Sequence, residues 1–127
     1  MLHSEALRRL SEISGEVVAR CYQCGKCSAG CPMAASADVA PHQVIRLVQL
    51  GQPGEALASA TIWLCAACRA CASRCPRGVD LPRLMESLRS MVLRQGAPVL
   101  IASDLPKEIL ARAPQQAFVS GFRKLSG

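Results

Sequence analysis

Residues 21–32 read CYQCGKCSAGCP: four cysteines separated by two, two and three residues, followed at once by a proline. The same device returns at residues 65–76, CAACRACASRCP, so that Cys21, Cys24, Cys27 and Cys31 are matched, 44 positions on, by Cys65, Cys68, Cys71 and Cys75. The chain has 8 cysteines, and none lies outside the two motifs. Thiols this crowded are metal ligands, redox couples or disulfide partners, because a dozen residues so composed hold no apolar core of their own.

Spacing narrows the choice. Three cysteines set two residues apart let one loop wrap three corners of a four-iron, four-sulfide cubane, and the fourth corner needs a ligand from elsewhere. In two-cluster ferredoxins the last cysteine of each such motif serves the other cluster. Applied here, one 4Fe-4S cluster (cluster 1) is expected on Cys21, Cys24, Cys27 and Cys75, and a second (cluster 2) on Cys65, Cys68, Cys71 and Cys31, which makes the two neighbours. Pro32 and Pro76, next to the crossing cysteines, turn the chain away from the metal. Gly25, Gly30 and Gly78 are expected to let backbone N–H groups approach sulfur. Zinc also takes four thiolates, but its structural sites pair two CxxC knuckles and leave the third cysteine of each motif without a role. Disulfides belong to oxidising compartments.

The charge balance fits bound clusters. The formal net charge is +6, and a cubane with four thiolates carries about −2, so two of them lower the total to about +2. Arg20, Lys26, Arg69, Arg74 and Arg77 border the motifs and read as compensation for that charge, part of it simply solvated. A nucleic-acid interface is disfavoured, since aromatic residues for base stacking make up only 3% of the chain. Trp63 and Tyr22 are expected to shield the clusters from water, and His3 and His42, with no partner pattern, to lie on the surface. The first residues, MLHSEALRRLSEISGE, lack the apolar run of a secretory signal, and no window approaches the roughly 20 apolar residues of a membrane span; a cytoplasmic protein is expected.

The elements that must position the cysteines read as helices. Leu7, Leu10, Ile13 and Val17 recur at helical steps from Ser4 to Val18, with a break expected at Gly15. Pro41 suits a first helical position, Val44, Ile45, Leu47 and Val48 form one apolar face, and Gly51 supplies a stop. After the turn GQPG, one short helix is expected over residues 55–64. Asp80 is a candidate N-cap for a helix faced by Leu81, Leu84, Met85, Leu88, Met91 and Val92 and ending at Gly96. No useful strand alternation occurs, so the fold class is all-α. The division expected is an N-terminal helical segment (1–20), a cluster-binding domain (21–96) and a proline-punctuated tail (97–127), with one short helix at Lys107–Arg112 and Phe118 and Phe122 available for a partner.

Taken together, CYQCGKCSAGCP, PHQVIRLVQLG and IWLCAACRACASRCPRGVDLPRLMESLR closely resemble the C subunit of heterodisulfide reductase and its relatives, over about residues 15–96. More distantly the pattern is similar to the C-terminal domain of the iron-sulfur subunit of succinate dehydrogenase and fumarate reductase. Both resemblances imply an α-helical ferredoxin domain. The first implies a relay of single electrons between two partners, in methanogenesis, electron bifurcation or sulfur oxidation. One partner is the flavin-bearing A subunit; the other is the catalytic B subunit, whose cysteine-rich CCG modules cleave or form disulfides. This sequence contains neither a CCG module nor a GxGxxG signature, so it is expected to carry electrons without a substrate-converting site of its own. Two alternatives stand beside that reading: an iron-sulfur subunit of another respiratory or dehydrogenase complex (quinone-, lactate- or glycerol-phosphate-linked), and a zinc-stabilised interaction or nucleic-acid-binding protein.

Overall fold

A computed structural model describes residues 2–95 and 99–126. Nine α-helices are present among them: α1 (Leu2–Ser14), α2 (Lys26–Ala29), α3 (Pro41–Gln49), α4 (Pro53–Ala58), α5 (Thr61–Leu64), α6 (Ala70–Arg74), α7 (Leu81–Leu93), α8 (Lys107–Arg112) and α9 (Gln115–Leu125). Single 3-10 turns lie at Val18–Arg20, Ala34–Ser36 and Ala102–Asp104, and no strand occurs among the described residues. The all-α expectation holds.

The chain divides into two compact units, residues 1–88 and 89–127. The first is built on the apolar faces of the three longer helices that enter it. Leu10 of α1, Val44, Ile45 and Val48 of α3, and Leu81, Leu84, Met85 and Leu88 of α7 are all buried and surround one small internal gap. Each such side chain removed from water contributes about 1.5–3 kcal/mol, which matters in a unit this small. Gly15, at φ 71, ends α1 at the expected break, its N–H bonding back to Ser11 O at 2.8 Å. Pro41 opens α3, where the amide of Ala40 is held by Gln43 Oε1 at 2.9 Å, and Gly51 closes it at φ 81.

The helix expected over residues 55–64 is two helices. The chain breaks at Ser59 and Ala60, and Asp38, 22 residues upstream, caps the second piece: its Oδ1 accepts from Ala60 N at 3.1 Å, Thr61 N at 3.3 Å and Thr61 Oγ1 at 2.9 Å. These bonds to the ionised carboxylate hold Asp38 below its usual pKa. Asp80 caps α7 through Arg83 N at 3.3 Å, as expected. The expected stop at Gly96 lies outside the described residues.

In the second unit the helix Lys107–Arg112 forms where the sequence placed it. α9 extends further than the tail reading allowed, over Gln115–Leu125, carrying Phe118 and Phe122 half-buried on it. Its last turn is fastened within the unit by Val99 N and Leu100 N, which donate to Leu125 O at 2.9 and 3.2 Å.

Candidate metal centre

The two cysteine motifs fold into the same shape. In each, the second residue after the first cysteine and the residue after the second cysteine adopt left-handed backbone: Gln23 (φ 66) and Gly25 (φ 78) in the first motif, Ala67 (φ 54) and Arg69 (φ 64) in the second. Three of the four are not glycine, so each loop holds a conformation that ordinary residues disfavour. Alternation of right- and left-handed residues curls the backbone so that its N–H groups converge on the concave side, which suits anionic sulfur. Each loop then runs into one turn of helix, α2 or α6, and these two turns pack against one another. Arg77 Nε, just past the second motif, reaches Arg20 O, just before the first, at 3.2 Å. Gln49 of α3 donates to both Val18 O (2.7 Å) and Cys21 O (2.9 Å), tying the first loop to the helical frame.

Two hollows result. One is lined by Cys21, Cys24, Cys27, Cys71 and Cys75 with Gly25, His42, Ile45, Val79 and Leu81. The other is lined by Cys31, Cys65, Cys68 and Cys71 among Pro32, Met33, Leu64, Leu81 and Met85. Cys71 and Leu81 belong to both, so the hollows adjoin. Each therefore gathers the first three cysteines of one motif and the last cysteine of the other. The mouths hold Cys24 and Cys68, both exposed; the remaining six thiols are half-buried.

The donor set suits a four-iron cluster: each hollow offers at least four thiols, and His42 is the one His, Asp or Glu among the described residues that line them. Among the described residues, no three His, Cys, Asp or Glu side chains converge closely enough to hold one metal ion, whereas zinc draws its sulfur ligands to about 2.3 Å.

Hydrogen bonds reach several of the sulfurs. Val79 N donates to Cys75 Sγ at 3.3 Å, Gln23 Nε2 to Cys21 Sγ at 3.3 Å, and Ser28 Oγ lies 3.9 Å from Cys27 Sγ. Burial pushes the Cys27 thiol up, offset in part by the Ser28 hydroxyl and amide. Burial likewise pushes Cys71 up to about 11, with the neighbouring thiols Cys65, Cys27 and Cys68 adding to it. Both cysteines have to lose a proton to bind metal, so filling the hollows releases protons. The N-terminal residues of α3 and α7 also border them, with Pro41 and Leu81 on the second hollow and His42 and Leu81 on the first. The N-terminal ends of two helices thus lie beside the thiols, where their dipoles favour the thiolate form that metal binding requires.

Some expectations change at close range. Gly25 and Gly78 have the positive φ that glycine permits, but Gly30 does not (φ −103); its missing side chain leaves room for the guanidinium of Arg74. Tyr22 is 59% exposed, too open to shield a cluster, while Trp63 is half-buried. His42 is not a bare surface residue: it lines the first hollow and its Nδ1 lies 2.6 Å from Ser28 Oγ. His42, Gln49 and Asp38 are the residues that sequence reasoning missed. Gln43 and Gln49, the polar positions flanking the apolar face of α3, were the available signal.

An all-α scaffold that sets two cysteine-lined hollows side by side has the architecture of an α-helical ferredoxin domain, an iron-sulfur fold. Residues 20–80 match the protein family described as a 4Fe-4S dicluster domain. The chain is 32% identical over 103 residues to the iron-sulfur C subunit of the CoB--CoM heterodisulfide reductase of Methanopyrus kandleri, covering 75% of this chain and 54% of that protein. It is 39% identical over 80 residues to the C subunit of the ferredoxin:CoB-CoM heterodisulfide reductase of Methanosarcina acetivorans (63% and 32%). It is 37% identical over 76 residues to an iron-sulfur C subunit of the CoB--CoM enzyme from Methanocaldococcus jannaschii (60% and 40%). Over part of its length the chain is thus similar to the C subunits of heterodisulfide reductases and to 4Fe-4S dicluster domains. It spans about half the length of the first two curated relatives it matches, and less of others. Among the described residues, no helix is long and apolar enough to cross a membrane.

Proposed function

We propose that this chain is the electron-transfer subunit of a heterodisulfide reductase-like complex. It would hold cluster 1 on Cys21, Cys24, Cys27 and Cys75, and cluster 2 on Cys65, Cys68, Cys71 and Cys31. The observation that carries this reading is the mixed lining of the two hollows, each with three cysteines of one motif and the last of the other. When bound, a 4Fe-4S cluster supplies one-electron transfer with little rearrangement, because the charge spreads over iron and sulfide.

The residues around the hollows do the rest. Val79, Gln23 and Ser28 offer hydrogen bonds to sulfur, and Leu81, Met33, Met85 and Ile45 exclude water. Cys71 and Leu81, shared by both hollows, keep the path between the two sites short. The exposed ligands Cys24 and Cys68 provide an entry and an exit. Exposed Arg69, Arg74 and Arg77 beside them speed the approach of acidic partner surfaces. The partners in this reading are the flavin-bearing A and the catalytic, CCG-containing B proteins of such a complex, and the setting is the cytoplasm, where thiols stay reduced.

The test is anaerobic co-purification with the A and B proteins from the same source. Co-elution with both, and reduction of this chain through the flavin of the A protein, is the expected result. A chain that elutes alone and binds neither would overturn it.

A further inference from the structure

The two hollows are built alike but not furnished alike. Shifting by 44 positions maps Ser28 onto Ala72 and Gln23 onto Ala67, so two side chains able to donate to sulfur in the first motif are replaced by methyl groups in the second. Cys27 and Cys71 hold the same place in the two motifs, although Cys71 borders both hollows and Cys27 one. Each is partly buried and each receives the backbone amide of its following residue. The Ser28 hydroxyl at Cys27 has no counterpart in Ala72 at Cys71.

That hydroxyl is held in place from α3. His42 N donates to Ser28 Oγ at 3.1 Å, and His42 Nδ1 lies 2.6 Å away on the same oxygen. A serine hydroxyl has two lone pairs and one proton. With the imidazole proton on Nδ1, both His42 groups donate to the oxygen and fill its lone pairs. The hydroxyl proton is then left for Cys27 Sγ, 3.9 Å away. Gln23 adds a second side-chain donor on Cys21 at 3.3 Å.

We infer that Ser28, oriented by His42, is a positioning residue that sets the redox potential of the cluster on Cys21, Cys24 and Cys27 above that of its neighbour. An added electron makes the cluster sulfurs more negative, and donors aimed at them stabilise that state more than the oxidised one. The electron therefore rests on the His42 side, and this side of the chain faces the stronger one-electron acceptor within the relay. The inference rests on the two-cluster reading above, but it does not depend on whether Cys75 or Cys31 supplies the fourth ligand.

The experiment is a potentiometric titration, followed by EPR, of the anaerobically reconstituted full chain. The samples are the wild type, Ser28→Ala, Ser28→Thr, His42→Ala and Gln23→Ala, with iron measured on each. The two reduction waves are assigned by the change that Cys24→Ser or Cys68→Ser makes in each. The upper wave is expected to belong to the Cys24 cluster and to move to lower potential in Ser28→Ala, His42→Ala and Gln23→Ala. Ser28→Thr, which keeps the hydroxyl, should hold it near the wild-type value, and the lower wave should stay put throughout. An upper wave belonging to the Cys68 cluster would overturn the inference. So would unchanged waves in Gln23→Ala and Ser28→Ala at full iron content. A wild type with far fewer than about eight irons would instead bring down the two-cluster reading itself.

Discussion

The guanidinium of Arg74 lies over the α-carbon of Gly30, so closely that a methyl group there would come within 2.8 Å of Nη1. The two residues hold the same place in the two motifs, 44 positions apart, each just before the last cysteine. The repeat is therefore asymmetric where its halves meet: glycine on one side makes room for a cation from the other. In the proposed ligation this cation sits at the junction of Cys31 and Cys75, where the chain crosses from one cluster to its neighbour.

Gly30→Ala should push the Arg74 side chain aside and lower stability by about 1 kcal/mol, at the mild end of overpacking because the clashing atoms end a flexible side chain. In an Arg74→Ala background the same substitution should cost much less. Thermal unfolding of the four proteins in this cycle measures the coupling, and equal costs in both backgrounds would remove Arg74 as the reason for the glycine.

Arg69 holds left-handed backbone (φ 64) while its guanidinium binds Asp80 Oδ2 at 2.7 Å. Arg69→Gly relieves about 1 kcal/mol of backbone strain and loses an exposed ion pair worth about 0–1 kcal/mol, so it should be close to neutral. Arg69→Ala keeps the strain and loses the pair. Denaturant midpoints should rank the alanine variant below the glycine variant.

Asp38 supplies the pH dependence of this part of the fold. Its folded pKa is depressed below the usual 3.8, chiefly by the amide of Ala60 and the hydroxyl of Thr61. Stability from this group is thus fully present above the unfolded value and is lost as pH falls through the folded one. Asp38→Asn should lower the unfolding temperature at pH 7 and flatten its decline below pH 4. Melting curves between pH 2.5 and 7 check both, and parallel declines in the two proteins would show that Asp38 is not the group responsible.

Crossed ligation predicts which cluster each fourth cysteine serves. Cys75→Ala should disturb the cluster on Cys21, Cys24 and Cys27, and Cys31→Ala the one on Cys65, Cys68 and Cys71. EPR of the reduced variants, compared with Cys24→Ser and Cys68→Ser, reads this out. Loss within the substituted motif alone would mean that each motif closes on itself.

Much of the scaffold was legible because helix signals are local. Pro41, Gly51, Gly15 and Asp80 sit where their backbone preferences put them, and the apolar faces of α3 and α7 became the core. What escaped depends on distant partners. The break at Ser59 and Ala60 is held by Asp38, 22 residues before Ala60, and that partner cannot be read from the residues around the break. The part His42 plays comes from Ser28, 14 residues before it, brought close by the fold. The left-handed residues Gln23, Ala67 and Arg69 are invisible to propensity, since none is of a type that favours that conformation. α9 was obscured by Pro114, which reads as a breaker but stands just ahead of the first turn and leads into it.

The most direct measurement is iron and acid-labile sulfide per chain after anaerobic reconstitution, with EPR of the dithionite-reduced protein. The account predicts about eight irons and eight sulfides per chain, and a spectrum broadened by two reduced clusters acting on one another across the shared wall of Cys71 and Leu81. Stoichiometric zinc, or four irons with the signal of one isolated cluster, would contradict it.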